Sequence, residues 1–173
     1  PRAAVAAERI DEVIRTQSSI AEPMQPEKIK EHRGVICFSH VNFRYPNAQE
    51  DVLSDIDFVA EPGKTTAIIG STGCGKSTLV NLIPRLYDVT GGSITMDGID
   101  IRKLAMAELR EEIGFVPQKG VLFSGTIASN LRFGKDDATD EQIREAAEIA
   151  QASDFIAEKK EGYDSAIAQG GSN

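Results

Sequence analysis

A glycine-rich segment directly after an apolar run constrains this chain more than any other feature of its sequence. Ala67, Ile68 and Ile69 are followed by GSTGCGKST, from Gly70 to Thr78, which matches the pattern GxxxxGK[ST]. In such a phosphate-binding loop, small residues let successive backbone N–H groups approach phosphate oxygens that a Cβ atom would hold away. The motif predicts that the chain binds a nucleoside triphosphate, ATP or GTP. A glycine-rich turn without a ligand is the alternative.

The motif also predicts a separate role for individual loop residues. We expect Lys76 to reach the β and γ phosphates and the Ser77 hydroxyl to ligate Mg²⁺. A strand is predicted before the loop, and a helix from Lys76 to Tyr87 after it, with a kink or an early end at Pro84. Nucleotide contacts are predicted for Gly70, Ser71, Thr72, Gly73, Cys74, Gly75, Lys76, Ser77 and Thr78.

Length and composition favour one α/β domain and exclude some partners. A chain of 173 residues can bury a sizeable core. Its net charge of -8 argues against nucleic acid as the main partner, because phosphate backbones require a basic surface. The sequence lacks an apolar stretch long enough to span a bilayer and an apolar signal-peptide core, so we expect this chain itself to be soluble.

The cysteine usage is typical of a reduced, cytosolic compartment. Cys37 and Cys74 lie far apart in the sequence and have no metal-binding spacing. Cys74 lies inside the predicted phosphate loop, where a helix N-terminus could make its thiol oxidisable. The simpler interpretation of Cys74 is a loop spacer without a redox role.

The chain divides into an N-terminal segment and a domain. Apolar residues at helical spacing predict an amphipathic helix from Pro1 to about Gln17, and prolines predict a linker from about Ser18 to Arg33. We therefore assign residues 1–33 to helix and linker and residues 34–173 to the domain. Alternation of apolar and polar residues around Val41 to Tyr45 and around Ile56 to Phe58 predicts antiparallel strands with one wet face.

The second half of the chain is predicted to be mostly helical, after a small hairpin. Asp97 and Gly98 between apolar residues indicate the hairpin turn. Thr139 followed by Gln142 forms a capping-box pattern at the start of a helix. The other predicted elements are a helix at Ala105–Glu112, a short strand at Gly114–Val116, the capped helix to about Gln151 and a shorter helix from Ser153.

Three further segments resemble one family when they are taken in order with the loop. They are VNFRYP (Val41–Pro46), GFVPQ (Gly114–Gln118) and LFSGTIASNLRFG (Leu122–Gly134). Together with the phosphate loop, they resemble the aromatic loop, the Q-loop and the following stretch of the ATP-binding cassette of ABC transporters, exporter type. The resemblance runs from about Gly34 to Asn173. The helix and linker before it resemble the connection that leaves the last transmembrane helix of such a transporter.

The resemblance implies a fold and two further site residues. The implied fold is α/β, a P-loop NTPase core sheet with an antiparallel β subdomain and a helical subdomain that includes Lys119–Arg132. Tyr45 would stack on the adenine ring of ATP, although a strand tyrosine packed on the core is the alternative. Gln118 would complete the Mg²⁺ shell with Ser77, help to place the attacking water, and act with Lys76 as a catalytic residue.

The resemblance also implies partners and a location. In the family, the Q-loop contacts a membrane domain, here expected in the same polypeptide, and two cassettes enclose two ATP molecules. We therefore expect a second nucleotide-binding domain as partner, in a homodimer or heterodimer. The parent protein is expected in a membrane, with this domain on the cytoplasmic face.

Several family motifs do not occur between Pro1 and Asn173. The resemblance ends before the position of the signature sequence, so we expect a domain truncated before that motif. No apolar run after the loop ends in adjacent Asp and Glu, the pattern that supplies the general base. His32 and His40 precede the loop, so neither corresponds to the family's switch histidine. We expect a chain that binds ATP, is catalytically incomplete, and self-associates through apolar surface at an unpaired strand edge.

Two other classes of protein share part of this pattern. A GTPase or kinase could share the phosphate loop alone. A GTPase normally needs an NKxD motif, and the sequence has no Asn-Lys pair. Identification as a kinase would leave Tyr45 and the Q-loop-like region unexplained. A non-catalytic, nucleotide-gated scaffold is the other alternative.

Overall fold

The computed structural model describes residues 2–16 and 18–171. Some segments predicted from the sequence begin or end at Pro1, Gln17 or Asn173, and these three residues lie outside the described residues. The chain forms two compact units, a first unit that ends at Phe115 and a second unit that begins at Val116. Each unit has its own apolar core.

The described residues form α-helices, strands and short 3-10 helices. The helices are α1 (Arg2–Arg15), α2 (Lys76–Leu82), α3 (Met106–Glu111), α4 (Ile127–Leu131), α5 (Asp140–Ile149) and α6 (Ser153–Ala157). The strands are β1 (Ile36–Phe43), β2 (Leu53–Ala60), β3 (Gly91–Met96), β4 (Ile99–Asp100), β5 (Gly125–Thr126) and β6 (Ala166–Ile167).

An antiparallel sheet with the order β2-β1-β3-β4 dominates the first unit. Phe38, Val41 and Phe43 of β1 are buried, and Ile94 and Met96 of β3 are buried beside them. This apolar face of the sheet packs into the first core, which confirms the predicted antiparallel strands.

Two neighbouring bulges interrupt the pairing of β1 with β2. Phe38 pairs with Phe58, Val41 with Ile56, and Phe43 with Leu53, so the register shifts twice. The first shift adds a residue to β1, and the second adds one to β2. Such bulges bend a strand and turn a side chain in a new direction.

The β3–β4 hairpin has the predicted turn. Met96 pairs with Ile99, and Asp97 and Gly98 between them have φ values of 49° and 84°. Positive φ at both central positions is the requirement of a type I′ turn, which Asp-Gly meets at low steric cost.

Helix α2 has the early end that Pro84 predicts. It ends at Leu82, two residues before Pro84, rather than continuing to Tyr87. Proline lacks a backbone N–H, and its ring clashes with the preceding turn, so it stops a helix at about this point.

Two strands predicted from short apolar runs are not formed in the described part of the chain. Ala67–Ile69 and Gly114–Val116 have no regular secondary structure, and neither segment belongs to a sheet. Ile69 is 91% exposed and Val116 is 93% exposed. Those two predictions are wrong because a strand is stable only when a neighbouring strand takes up its backbone hydrogen bonds and covers its side chains.

The second unit is mainly helical, as predicted. The Thr139 side chain accepts a hydrogen bond from the Gln142 N–H, and the Gln142 side chain accepts one from the Thr139 N–H, so the capping box of α5 is present. Ile127, Ala147 and Ile156 form the centre of the second core.

The N-terminal segment also has the predicted helix. The apolar residues Ile10, Val13 and Ile14 of α1 are exposed by 60%, 74% and 75%. No helix in the described ranges is long and apolar enough to cross a membrane. In the predicted linker, Ile29 is buried and the Glu27 N–H donates to the Lys103 carbonyl at 2.9 Å, so this segment packs on the first unit.

Candidate functional site

The phosphate loop and Tyr45 lie on one cavity of the first unit. The cavity has a volume of about 330 Å³. It is lined by Tyr45, Val52, Gly73, Gly75, Lys76, Ser77 and Thr78. The structure therefore brings the aromatic residue predicted to contact adenine to the same cavity as the residues predicted to contact phosphate. The sequence did not reveal Val52, because nothing in the sequence distinguishes it from other apolar residues.

Glycines of the loop are needed for its backbone conformation and its close contacts. Gly73 and Gly75 have φ values of 85° and 90°, a region that other residues rarely adopt. A Cβ atom at Gly75 would also lie 2.9 Å from Leu53 Cδ2 and 3.2 Å from the Val52 carbonyl oxygen. A loop built without Cβ atoms at these positions fits the predicted role of holding a phosphate group.

Lys76 folds back over its own loop. Its Nζ donates hydrogen bonds to the carbonyl oxygens of Gly70 at 2.9 Å and Ser71 at 2.6 Å, and lies 3.7 Å from Cys74 Sγ. The ammonium group is thus held at the centre of the loop by neutral acceptors. A phosphate oxygen is a stronger, charge-assisted acceptor and can replace them.

The N-terminus of α2 faces this loop without a capping side chain. Gly75 is the N-cap residue, and no side chain accepts a hydrogen bond from the first turn. Thr78 is buried, while Ser71, Thr72, Cys74 and Ser77 are at least partly exposed. Backbone N–H groups in a first helical turn lack intrahelical acceptors, so they suit an anion.

Tyr45 contacts both the core and the phosphate loop. Its hydroxyl lies 2.9 Å from Thr78 Oγ1, a hydrogen-bonding distance. Its ring makes edge contacts with Phe43 and Tyr87, at centroid distances of 4.9 Å and 5.3 Å. The sequence did not reveal the link to Thr78, because the two residues are 33 positions apart and no local pattern connects them.

Gln118 belongs to the second unit. It lies in an exposed segment without regular structure, between α3 and β5. Its predicted contact with Mg²⁺, like the other assigned site roles, stays a prediction.

Comparisons with known proteins identify the family. The ABC transporter family model matches residues 53–171. An uncharacterized ABC transporter ATP-binding protein of Mycobacterium tuberculosis is 46% identical, over 100% of this chain and 30% of the relative. A putative multidrug export ATP-binding/permease protein of Staphylococcus aureus is 45% identical, over 85% of this chain and 25% of the relative.

A solved structure supports the same assignment. The chain superposes on a bacterial Atm1-family ABC exporter with ATP bound, with a TM-score of 0.88 and 33% sequence identity. The similarity covers 98% of this chain and 30% of that exporter chain, so the chain spans 25–30% of the length of these relatives. The α/β fold class inferred from the sequence is confirmed, with an antiparallel sheet and a helical second unit. This chain belongs to the ABC transporter family.

Proposed function

We propose that this chain provides ATP binding in an ABC exporter that couples ATP binding and hydrolysis to transport of a substrate across a membrane. The observation that carries the proposal is the cavity shared by Tyr45 and the phosphate loop. An aromatic ring and a phosphate loop on one cavity suit the two ends of a nucleotide. The similar Atm1-family exporter has ATP bound, which agrees with this choice of nucleotide.

In this proposal, the loop from Gly70 to Thr78 surrounds the phosphates with backbone N–H groups, and Lys76 exchanges its carbonyl acceptors for phosphate oxygens. Tyr45 provides an aromatic surface for the adenine ring. Stacking of this kind depends on the π-face, so it tolerates either purine.

Mg²⁺ would neutralise the charge that develops on the transferred phosphoryl group. The Ser77 hydroxyl, which lines the cavity, and the Gln118 side-chain amide are neutral oxygen donors of the kind that suit this ion. Gln118 would also help to place the attacking water.

The assembly and domain organisation are parts of the same proposal. Residues 1–33 would connect a transmembrane domain of the same polypeptide to the nucleotide-binding domain, which begins near residue 34. A second nucleotide-binding domain would complete the ATP sites at the cytoplasmic face of the membrane. This chain alone would bind ATP without rapid turnover, because its sequence lacks the acidic pair expected after an apolar strand.

The first test is the affinity for Mg²⁺-ATP, measured by calorimetry for the chain and its Lys76→Ala variant. We expect at least about a tenfold loss in Lys76→Ala, because a charge-assisted hydrogen bond contributes about 1.5–3 kcal/mol. Lys64→Ala is the matched control, since Lys64 forms an ion pair with Glu61 just before the loop. Equal affinities of the chain and Lys76→Ala would contradict the proposed site.

The second test compares ATP turnover of this chain with turnover of a longer polypeptide that continues through an acidic strand. We expect turnover only in the longer polypeptide, and its loss again in Lys76→Ala. ATP turnover by this chain alone would contradict the inference that its general base is missing. A longer polypeptide that binds ATP without turnover would favour a nucleotide-gated scaffold.

A further inference from the structure

His40, Asp55 and Asp57 form a side-chain cluster on the β1–β2 ribbon, outside the nucleotide cavity. His40 Nδ1 lies 2.7 Å from Asp55 Oδ1 and 3.2 Å from Asp57 Oδ2. One donor atom from each residue lies within 4.8 Å of the others. The three side chains are about half exposed or more, so water has access to the cluster.

The two bulges of the ribbon create this cluster. His40 is in the β1 bulge and has φ 47°, and Asp55 is in the β2 bulge and has φ 51°. Both are non-glycine residues in the left-handed region, which is rare in strands. Without the extra residue in each strand, the alternation of side chains would not place His40, Asp55 and Asp57 together.

Asn42 connects the two bulges. Its Nδ2 donates to the His40 carbonyl at 3.0 Å, and its Oδ1 accepts from the Asp55 N–H at 2.9 Å. The His40 N–H donates to Asp57 Oδ1 at 3.0 Å, which orients the other oxygen of that carboxylate, Oδ2, toward the imidazole. These contacts fix the backbone at His40 and Asp55, and one oxygen of the Asp57 carboxylate, before any ligand binds.

A close approach of β3 supports the same arrangement. A Cβ atom at Gly92 would lie 2.2 Å from the His40 carbonyl oxygen, so only glycine fits there. The bulge at His40 thus depends on Gly92 of the neighbouring strand as well as on Asn42.

We propose that His40, Asp55 and Asp57 bind a divalent transition-metal ion of the Zn²⁺ class. One imidazole nitrogen and two carboxylate oxygens suit Zn²⁺ and similar ions, whereas Mg²⁺ and Ca²⁺ prefer oxygen donors alone. Zn²⁺ bonds of about 2.0–2.1 Å in tetrahedral geometry place donor atoms about 3.3 Å apart. The distance from His40 Nδ1 to Asp57 Oδ2 is already close to this value, and the distance to Asp55 Oδ1 needs to widen by about 0.6 Å.

Metal binding replaces the proton that His40 shares with the carboxylates. On binding, the Nδ1 proton leaves to solvent and the nitrogen lone pair bonds to the ion. Water can fill the remaining coordination position, because the cluster is open on its outer side.

Calorimetric titration of the whole chain with Zn²⁺ tests the proposal. His40→Asn and Asp55→Asn are the informative variants, because asparagine tolerates positive φ and each substitution replaces an imidazole or a carboxylate with a neutral amide, a weaker ligand for Zn²⁺. We expect each to weaken Zn²⁺ binding at least about tenfold. Mg²⁺ is expected to bind the cluster at least about tenfold more weakly than Zn²⁺.

Two matched controls separate this cluster from other Zn²⁺ donors. His32→Asn removes a histidine that pairs with Glu112 at 2.8 Å, and Cys74→Ser removes the exposed thiol of the phosphate loop. We expect neither variant to change the affinity of the cluster. Unchanged Zn²⁺ affinity in His40→Asn, or an equal loss in His32→Asn, would overturn the proposal.

A second measurement needs no variant at the cluster. In an NMR titration of the unaltered chain with Zn²⁺, we expect the His40 imidazole resonances to shift at lower Zn²⁺ concentration than those of His32. A shift of His32 alone, or of both histidines together, would contradict the proposed site.

Discussion

At the scale of single residues, Asp97 connects the β3–β4 turn to the segment before β1. Its carboxylate accepts hydrogen bonds from the N–H groups of Arg33, Gly34 and Val35, at 3.0, 3.1 and 2.9 Å. Burial alone would raise the pKa of Asp97, but these hydrogen bonds outweigh it, and the pKa lies below its ordinary value. A residue that looks like an ordinary turn aspartate therefore also holds two distant segments together.

Replacement of Asp97 by Asn tests this contact. The variant keeps a side chain that tolerates φ 49° but loses the carboxylate, so we expect the free energy of unfolding at pH 7 to fall by about 1–2 kcal/mol. Urea unfolding measures the difference, and Glu50→Gln, at an exposed position, is the control.

The pH dependence of the Asp97 contribution follows from its lowered pKa. The folded state binds the proton of Asp97 less readily than the unfolded state does. The stabilisation is therefore complete above about pH 4 and is lost as the pH falls through the folded-state value. The difference between the unaltered chain and Asp97→Asn should shrink in acid. A difference independent of pH would contradict this account.

The hydroxyl and the ring of Tyr45 have separate contacts that can be tested independently. Its hydroxyl contacts Thr78, whereas its ring is the proposed surface for adenine. We expect Tyr45→Phe to keep nucleotide affinity within about threefold and Tyr45→Ala to lower it about threefold to tenfold, since an aromatic contact contributes about 0.5–1.5 kcal/mol. Fluorescent-nucleotide titration distinguishes these results. Equal affinities in Tyr45→Ala and the unaltered chain would show that the ring serves only the core.

At the scale of secondary structure elements, the capping box starts α5 at a defined residue. Thr139→Ala removes the side-chain acceptor for the Gln142 N–H, so we expect a loss of about 1 kcal/mol in the free energy of unfolding of the second unit. Thermal or urea unfolding followed by circular dichroism measures it. Ser153→Ala at the start of α6 is the control, because no side-chain cap occurs there. An equal effect of both substitutions would argue against the cap as the cause.

At the scale of the whole molecule, exposed apolar side chains favour self-association. Ile69 is almost fully exposed in a segment that is not a strand in the described chain. Removing a large apolar side chain from water contributes about 1.5–3 kcal/mol, so contact between copies of this segment is favourable.

We expect self-association that rises with concentration in sedimentation velocity, and a shift toward monomer in Ile69→Lys. Ile14→Lys, on the exposed face of α1, is the comparison, and we expect it to leave the association unchanged. A single monomeric species of the unaltered chain at high concentration would contradict the expectation.

Much of the fold could be predicted from the sequence because the relevant interactions are local. The Asp97-Gly98 turn, the capping box at Thr139 and the end of α2 before Pro84 depend on residues within a few positions of one another. The phosphate loop is local in the same way, and its Gly73 and Gly75 have the positive φ values that the motif requires. The predicted role of Gln118 rests on family resemblance alone and stays a prediction.

The loop, the turns, the helix ends and the family could be inferred from the order of residues alone, since each depends on neighbouring residues or on the order of motifs. Three features became visible only in the folded chain: the contact of Tyr45 with Thr78, the position of His40 beside Asp55 and Asp57, and the absence of a strand at Ala67–Ile69. These outcomes depend on strand pairing and on residues far apart in the chain. A local pattern predicts which residues can form a strand. A strand forms only when a neighbouring strand supplies the partners for its backbone hydrogen bonds.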